Sequence, residues 1–234
     1  MTQQSAVRQD PPIRLFKSDF LEFFSHISPL AVAAIWAPVS VFFLGRAVLA
    51  WQPGTSWLHI PAGIFLGWFV WTFVEYTLHR FLFHYHPRTE RLKRMFFMMH
   101  GVHHAQPMCR TRLVMPPALS VPMSSVFFVG GYALIVVGLG VPQWFDPVMV
   151  GLVAGYLIYD LTHYQIHHAN VTSGWFFKLR KHHLRHHGAC DFMRFGVSTT
   201  IWDHVFGTMP KAPCQELINR GSGKPADWEP PAPA

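Results

Sequence analysis

The chain has 234 residues, half of them hydrophobic and only 13% charged, with 21 Phe and 9 Trp. Soluble domains carry about a quarter charged residues, so this balance excludes an ordinary soluble domain and marks an integral membrane protein. The formal charge of +7 would suit a nucleic-acid partner, but the placement of the basic residues gives it another origin, and no nucleic acid is expected.

Residues 1–28 are polar and mixed, without a short apolar core ahead of a small-residue cleavage site, so they read as a cytosolic N-terminal segment. One domain over 29–210 follows. Its first apolar stretch, about 29–51, is broken only by Arg46, and its second, about 60–78, has Glu75 near its end. A short turn, Gln52 to Ser56, joins them. The third stretch, about 118–140, has no charge and is the clearest spanning helix. Val141 to Asp146 turns the chain into the fourth, about 147–164, where a short apolar run continues through Asp160 and His163 as one helix. The pattern predicts an all-α membrane protein with four transmembrane helices in two hairpins. Residues 211–234, rich in Pro, Ala and Gly toward their end, are expected to form a flexible tail. Cys109, Cys190 and Cys214 are odd in number and irregularly spaced, so no disulfide framework is expected.

Of the 19 Lys and Arg residues, 3 precede the first span, 7 lie between His79 and Pro117, and 8 follow Asp160. Neither opposite turn has one. The excess of positive charge on cytoplasmic loops then places both termini and the central loop in the cytoplasm, and it accounts for the net charge.

Sixteen histidines are present, and ten fall in four clusters just outside apolar spans: His79 and His84, His100 with His103 and His104, His163 and His167, and His183 with His186 and His187. Residues three and four apart share a helix face, so three clusters form imidazole faces on ordinary helices. His79 and His84 are five apart, and that pair needs a helix end or a π-type distortion, a device common at functional sites. One ion takes about four to six ligands. Ten nitrogens are too many for one metal and suit two, and paired metals are a known catalytic arrangement. Four elements could thus each turn imidazoles toward one point on the cytoplasmic side. Glu75, Asp160 and Asp203 are placed to accept a ring N–H and fix a ligand tautomer; ordinary helix-end carboxylates are the alternative. His26 and His59 read as interfacial, His86 as structural, His204 as a turn residue, and His168 and His182 as pointing off the ligand face.

Three stretches carry a family resemblance: EYTLHRFLFH (75–84), HGVHHAQPMCRTRLVMPP (100–117), and YDLTHYQIHH (159–168) leading to KHHLRHHGACDFMRFGVSTTIWDHVFGT (181–208). In this order they resemble the fatty acid hydroxylase / sterol desaturase superfamily, nearest its fatty-acid 2-hydroxylases. The resemblance implies O2-dependent hydroxylation of the carbon beside the acyl carbonyl, in a fatty acid or in the acyl chain of a sphingolipid or ceramide. It also implies a transmembrane helical base carrying a cytosolic helical cap that holds two metals, with the ten clustered histidines as their ligands. The fused members of the family carry a cytochrome b5 domain, and only about 28 residues precede the first span here. The electron donor is therefore expected to be a separate protein: cytochrome b5, a ferredoxin or a similar carrier with its reductase. The expected location is a bacterial inner membrane, or the endoplasmic reticulum if the chain is eukaryotic.

Oxygen insertion into an unactivated C–H bond needs a redox-active metal, and zinc has no accessible redox change. Two iron ions are expected, although all-nitrogen ligation would also accept zinc in an isolated sample. Phe81, Phe83, Phe96, Phe97 and Met98 are candidates to line an acyl channel, or else ordinary core. Rival readings are an enzyme of the same superfamily acting on a sterol, a carotenoid or an amino-acid-containing lipid, a desaturase, and a membrane metal transporter. A transporter would place ionisable residues near mid-bilayer, and the third stretch has none.

Overall fold

A computed structural model describes residues 11–188 and 190–219. The Pro- and Ala-rich stretch 221–234 lies outside the described residues. Regular structure among the described residues is all helical. A short helix α1 (Asp19–Phe23) precedes α2 (Pro29–Leu49), α3 (His59–Thr77), α4 (Glu90–Phe96), α5 (Val102–Ala105), α6 (Pro117–Tyr132), α7 (Phe145–His168), α8 (Gly174–His187), α9 (Ile201–Val205) and α10 (Cys214–Asn219).

Three helical stretches are long and apolar enough to cross a membrane: Pro29–Leu49, Pro117–Gly138 and Pro142–His168. The first starts where expected, with Pro29 in the opening turn and Ser28 Oγ accepting the Ala31 N–H at 3.2 Å. Helix α3 is 19 residues long but is not among the three. His59, Pro61, Thr72 and Glu75 interrupt its apolar surface.

Helix α7 is the central post, with α3 and α2 packed along it. The α3–α7 seam is made by glycines. Gly67 and Gly151 meet across it, with Gly63 against Pro147 and Gly155 against Trp71; the two glycines on each helix are four residues apart and so on one face. A Cβ on Gly67 would overlap the Val148 carbonyl, and one on Gly151 the Ile64 carbonyl. Small residues at such spacing let helix backbones touch where apolar side chains alone give no driving force. Aromatic edges close the other side: Trp36 and Trp71 both meet Tyr156 with ring centroids 5.5 Å apart. Helix α6 packs more lightly, through Phe128 on Phe43 and Tyr132 on Phe145, and none of its apolar window is buried inside the protein. Exposed Val126, Val129 and Val137 make a continuous apolar surface that lipid would cover.

Two expectations about the C-terminal region change. Cys214–Asn219 is helical within the stretch read as a flexible tail. Cys190 and Cys214 form a disulfide, with Cα atoms 5.7 Å apart. Irregular cysteine spacing in the sequence carried no sign of it, because pairing depends on how the chain returns after α9.

Candidate metal centre

Helices α3 and α7 end side by side, and α4–α5 and α8 bring the remaining histidines to them. Helix α3 passes into a π-helical turn at Leu78–Phe83, and the His84 N–H bonds the His79 carbonyl at 3.2 Å. One extra residue per turn brings positions five apart onto one face, which is how His79 and His84 come to point together. A second π-turn, Phe97–Gly101, carries His100 and was not foreseen.

All ten clustered histidines meet, in two groups of five. His79, His84, His100, His104 and His186 form one; His103, His163, His167, His183 and His187 form the other. Within each group the available ligand atoms lie within 4.8 Å of one another. The H-x2-H-H motifs therefore do not each serve one ion. Their outer residues, four apart, share a group, while the middle histidine crosses to the other. His103 leaves α5 for the α7–α8 group, and His186 leaves α8 for the α3–α5 group.

The spacing suits metal ions. The Nε2 atoms of His79 and His100 are 3.2 Å apart, those of His100 and His104 3.0 Å, and those of His84 and His186 3.0 Å. In the other group His183 Nε2 stands 2.9, 3.2 and 3.0 Å from those of His163, His167 and His187. Two nitrogens at right angles on an ion with metal–nitrogen bonds of about 2.1 Å would be about 3.0 Å apart. Burial pushes His79 down to about 4. Burial, then neighbouring imidazoles, pushes His84, His100, His103, His183, His186 and His187 well below the ordinary histidine value. The rings are therefore neutral at physiological pH, each with a lone pair to donate. Both nitrogens of His103 are buried without a hydrogen-bond partner, and an ion would engage one of them.

The three carboxylates act differently from expectation. Glu75 does not bond His79; it accepts the N–H groups of Val197 (2.7 Å) and Ser198 (2.8 Å) and the Ser198 hydroxyl. Asp160 does not bond His163, whose Nδ1 has no partner. It accepts from the Met115 N–H and from the Tyr156 hydroxyl at 3.2 Å. Asp203 accepts from Phe195 N (2.8 Å), Gly196 N (2.9 Å), Thr208 Oγ1 (2.7 Å) and His182 Nε2 (3.0 Å). Glu75 and Asp203 thus clamp the 193–198 loop from both sides. That loop holds the ligands: His79 Nδ1 donates to the Phe195 carbonyl at 2.5 Å and His186 Nδ1 to the Met193 carbonyl at 2.7 Å. Arg194 between them takes a left-handed backbone at φ 64°, a costly conformation for a side-chain-bearing residue. A Cβ on Gly196 would overlap the Thr199 carbonyl.

A family model described as fatty acid hydroxylase matches residues 64–208. This chain belongs to the fatty acid hydroxylase family. A dihydroceramide fatty acyl 2-hydroxylase of Arabidopsis thaliana is 37% identical over 216 residues, covering 92% of this chain and 87% of its own. The fatty acid 2-hydroxylase of Homo sapiens is 33% identical, with 86% and 58% covered. The solved structure of full-length scs7p, in which only the hydroxylase domain is visible, matches with a TM-score of 0.75 and 36% identity over 83% of this chain and 72% of that one.

In this fatty acid hydroxylase an apolar chamber of about 240 Å3 reaches the histidines, with His100, His103 and His163 in its wall. Phe83 and Met98, two of the anticipated channel residues, line it. Phe81 does not; it is exposed and borders a separate cleft beside His84. The chamber's far wall is the N-terminal segment, through Leu15, Phe16, Leu21 and Phe24. No motif in that segment pointed to this role. The 193–198 loop was equally invisible, since its contribution is made by backbone carbonyls.

Proposed function

We propose that this protein hydroxylates the 2-position of a lipid acyl chain, in a fatty acid or in the N-acyl chain of a ceramide or related sphingolipid. The observation that carries this reading is the apolar chamber ending on His100, His103 and His163, in a chain whose relatives are named dihydroceramide fatty acyl 2-hydroxylase and fatty acid 2-hydroxylase. The ten histidines are the proposed ligands of two iron ions, one per group of five. Bound iron would supply the reduction of O2 that replaces a C–H bond by C–OH.

The chain's own part is positioning. The ten imidazoles would present ring-nitrogen lone pairs, and the Met193 and Phe195 carbonyls hold the rings of His186 and His79. The chamber walls keep water from the acyl chain. In balance, one C–H bond and one O2 are consumed with two electrons and two protons, giving one C–OH and one water. The electrons are proposed to come from a separate carrier protein. In the proposed topology α3 crosses the bilayer beside the three more apolar helices, giving four spans in two hairpins. Helices α4, α5 and α8 form a cap, and both termini are cytoplasmic, as the basic residues favour. A lipid resting with its head group at the cytoplasmic surface would then have its second carbon near the level of the histidines.

Mass spectrometry of hydrolysed acyl chains tests the proposal, in cells with and without this protein and with a competent electron donor. The expected product is the 2-hydroxy acid. Hydroxylation elsewhere on the chain, a double bond, or a hydroxylated sterol or carotenoid would replace it with a rival chemistry.

A further inference from the structure

The N-terminal segment is bound into the protein at several points. The Ile13 N–H donates to Gln106 Oε1 at 2.8 Å and the Ile27 N–H to the Thr111 carbonyl at 2.9 Å. Between these, Glu22 pairs with Arg112, whose side chain is 2% exposed, while its second oxygen accepts the Leu15 and Phe16 N–H groups at 3.0 and 2.9 Å. His26 Nε2 accepts from Arg112 at 3.0 Å. These bonds lay residues 13–26 as a strap across the loop 106–112. The strap has two faces. Leu15, Phe16, Leu21 and Phe24 line the chamber that His100, His103 and His163 close at its other end. Phe20 and Phe23 point away and are 71% and 73% exposed. Leu21 and Phe24 line the chamber yet are about half exposed, so the chamber opens beside them.

We propose that the strap is the wall that selects acyl-chain length, meeting the methylenes of the lipid beyond the carbon held near the histidines. Its chamber-facing side chains Leu15, Phe16, Leu21 and Phe24 are apolar, with only Ser25 polar among them, while Arg112 on the loop beneath also lines the chamber, giving Nη2 to Glu22 and His26 and leaving Nε and Nη1 without a partner. The strap's own face therefore meets hydrocarbon, and a polar group would be met by Arg112 on the loop instead. The strap also lies outside residues 64–208, the part matched to the family, so chain-length preference and the oxidation site sit on separate pieces of the chain. This inference rests on the acyl-hydroxylase reading.

Two measurements test it. The full chain, in membranes offering acyl chains of mixed length, is compared with Leu21→Trp, which narrows the chamber, and Phe16→Ala, which widens it. A methylene or two in an apolar pocket changes discrimination by about tenfold or more. The long-to-short ratio of 2-hydroxy products should therefore fall about tenfold in Leu21→Trp and rise in Phe16→Ala. Unchanged ratios in both variants with turnover retained, or a change by head group instead of length, would overturn the proposal. The second measurement needs no turnover and no variant. A fatty acid with a diazirine near its methyl end, in phosphocholine-lipid vesicles, is irradiated with the wild-type protein. Label is expected in peptides spanning residues 13–26; label confined to other chamber walls refutes the strap's role. Failure of the acyl-hydroxylase reading looks different: wild type gives no 2-hydroxy product at any chain length.

Discussion

Replacing Asp203 by Ala removes the inner clamp on the 193–198 loop without touching a histidine of either group. Asp203 is fully buried. Burial alone would raise its pKa, but hydrogen bonds from His182 and Thr208 hold it below the usual carboxylate value, so it is an anion in the folded protein. Its loss strands the Phe195 and Gly196 N–H groups, which it accepts at 2.8 and 2.9 Å. An unsatisfied buried group costs about 1–3 kcal/mol, so two cost about 2–6 kcal/mol. The loop should relax, and the Met193 and Phe195 carbonyls would no longer fix the rings of His186 and His79. Losing such outer partners typically weakens metal binding by about 10–100-fold. Only the His79, His84, His100, His104 and His186 group depends on that loop, so bound metal should fall from about two ions per chain toward one under chelator competition. The assay is elemental analysis of purified protein across a chelator series, with a melting curve in parallel. Unchanged metal content and melting temperature would refute the reasoning. Equal loss from both groups would show that the loop supports the whole centre instead of one half.

Other expectations are direct. His103→Ala and His186→Ala should each abolish product and lower bound metal, while His204→Ala, on the exposed face of α9, should do neither; elemental analysis and product assay decide. Gly151→Leu drives a side chain into the Ile64 carbonyl and should cost at least about 1–3 kcal/mol, seen as reduced yield of folded protein and a lower melting temperature. Cys214→Ser opens a disulfide that closes a 24-residue separation, worth up to about 3.5 kcal/mol by loop-closure entropy. Its melting temperature should fall to that of wild type in reductant, and no difference between oxidised and reduced wild type would show the bond to be idle.

The sequence displayed the histidines far better than their division of labour. Spacing alone asked for a helix end or a π-type distortion at His79 and His84, and a π-turn is there. It gave no reason for a second one at Phe97–Gly101, because His100, His103 and His104 already fit an ordinary helix. Periodicity puts the three residues of an H-x2-H-H motif on one face but says nothing of which side of that face meets which ion. The crossing of His103 and His186 is decided by how α5 and α8 approach. The carboxylates were noticed from nearness in sequence, yet Glu75 and Asp203 work through a loop more than a hundred residues from Glu75. The disulfide and the strap were hidden for the same reason: both depend on where a chain end returns.

The glycine seam between α3 and α7 acts as a vernier for the chemistry. Gly151 lies about 18 Å along α7 from His163, and Gly67 a similar distance along α3 from His79, at 1.5 Å per residue. With carbonyls seated on bare Cα atoms, neither helix can slide along the other without riding up over its neighbour. A slip of one residue would move the end of α3 by about 1.5 Å relative to that of α7, against a tolerance of about 0.2 Å for metal–ligand distances. The two helix ends supply one histidine pair to each group, so the relative placement of the groups is set deep in the helical base, by residues that bear no side chain.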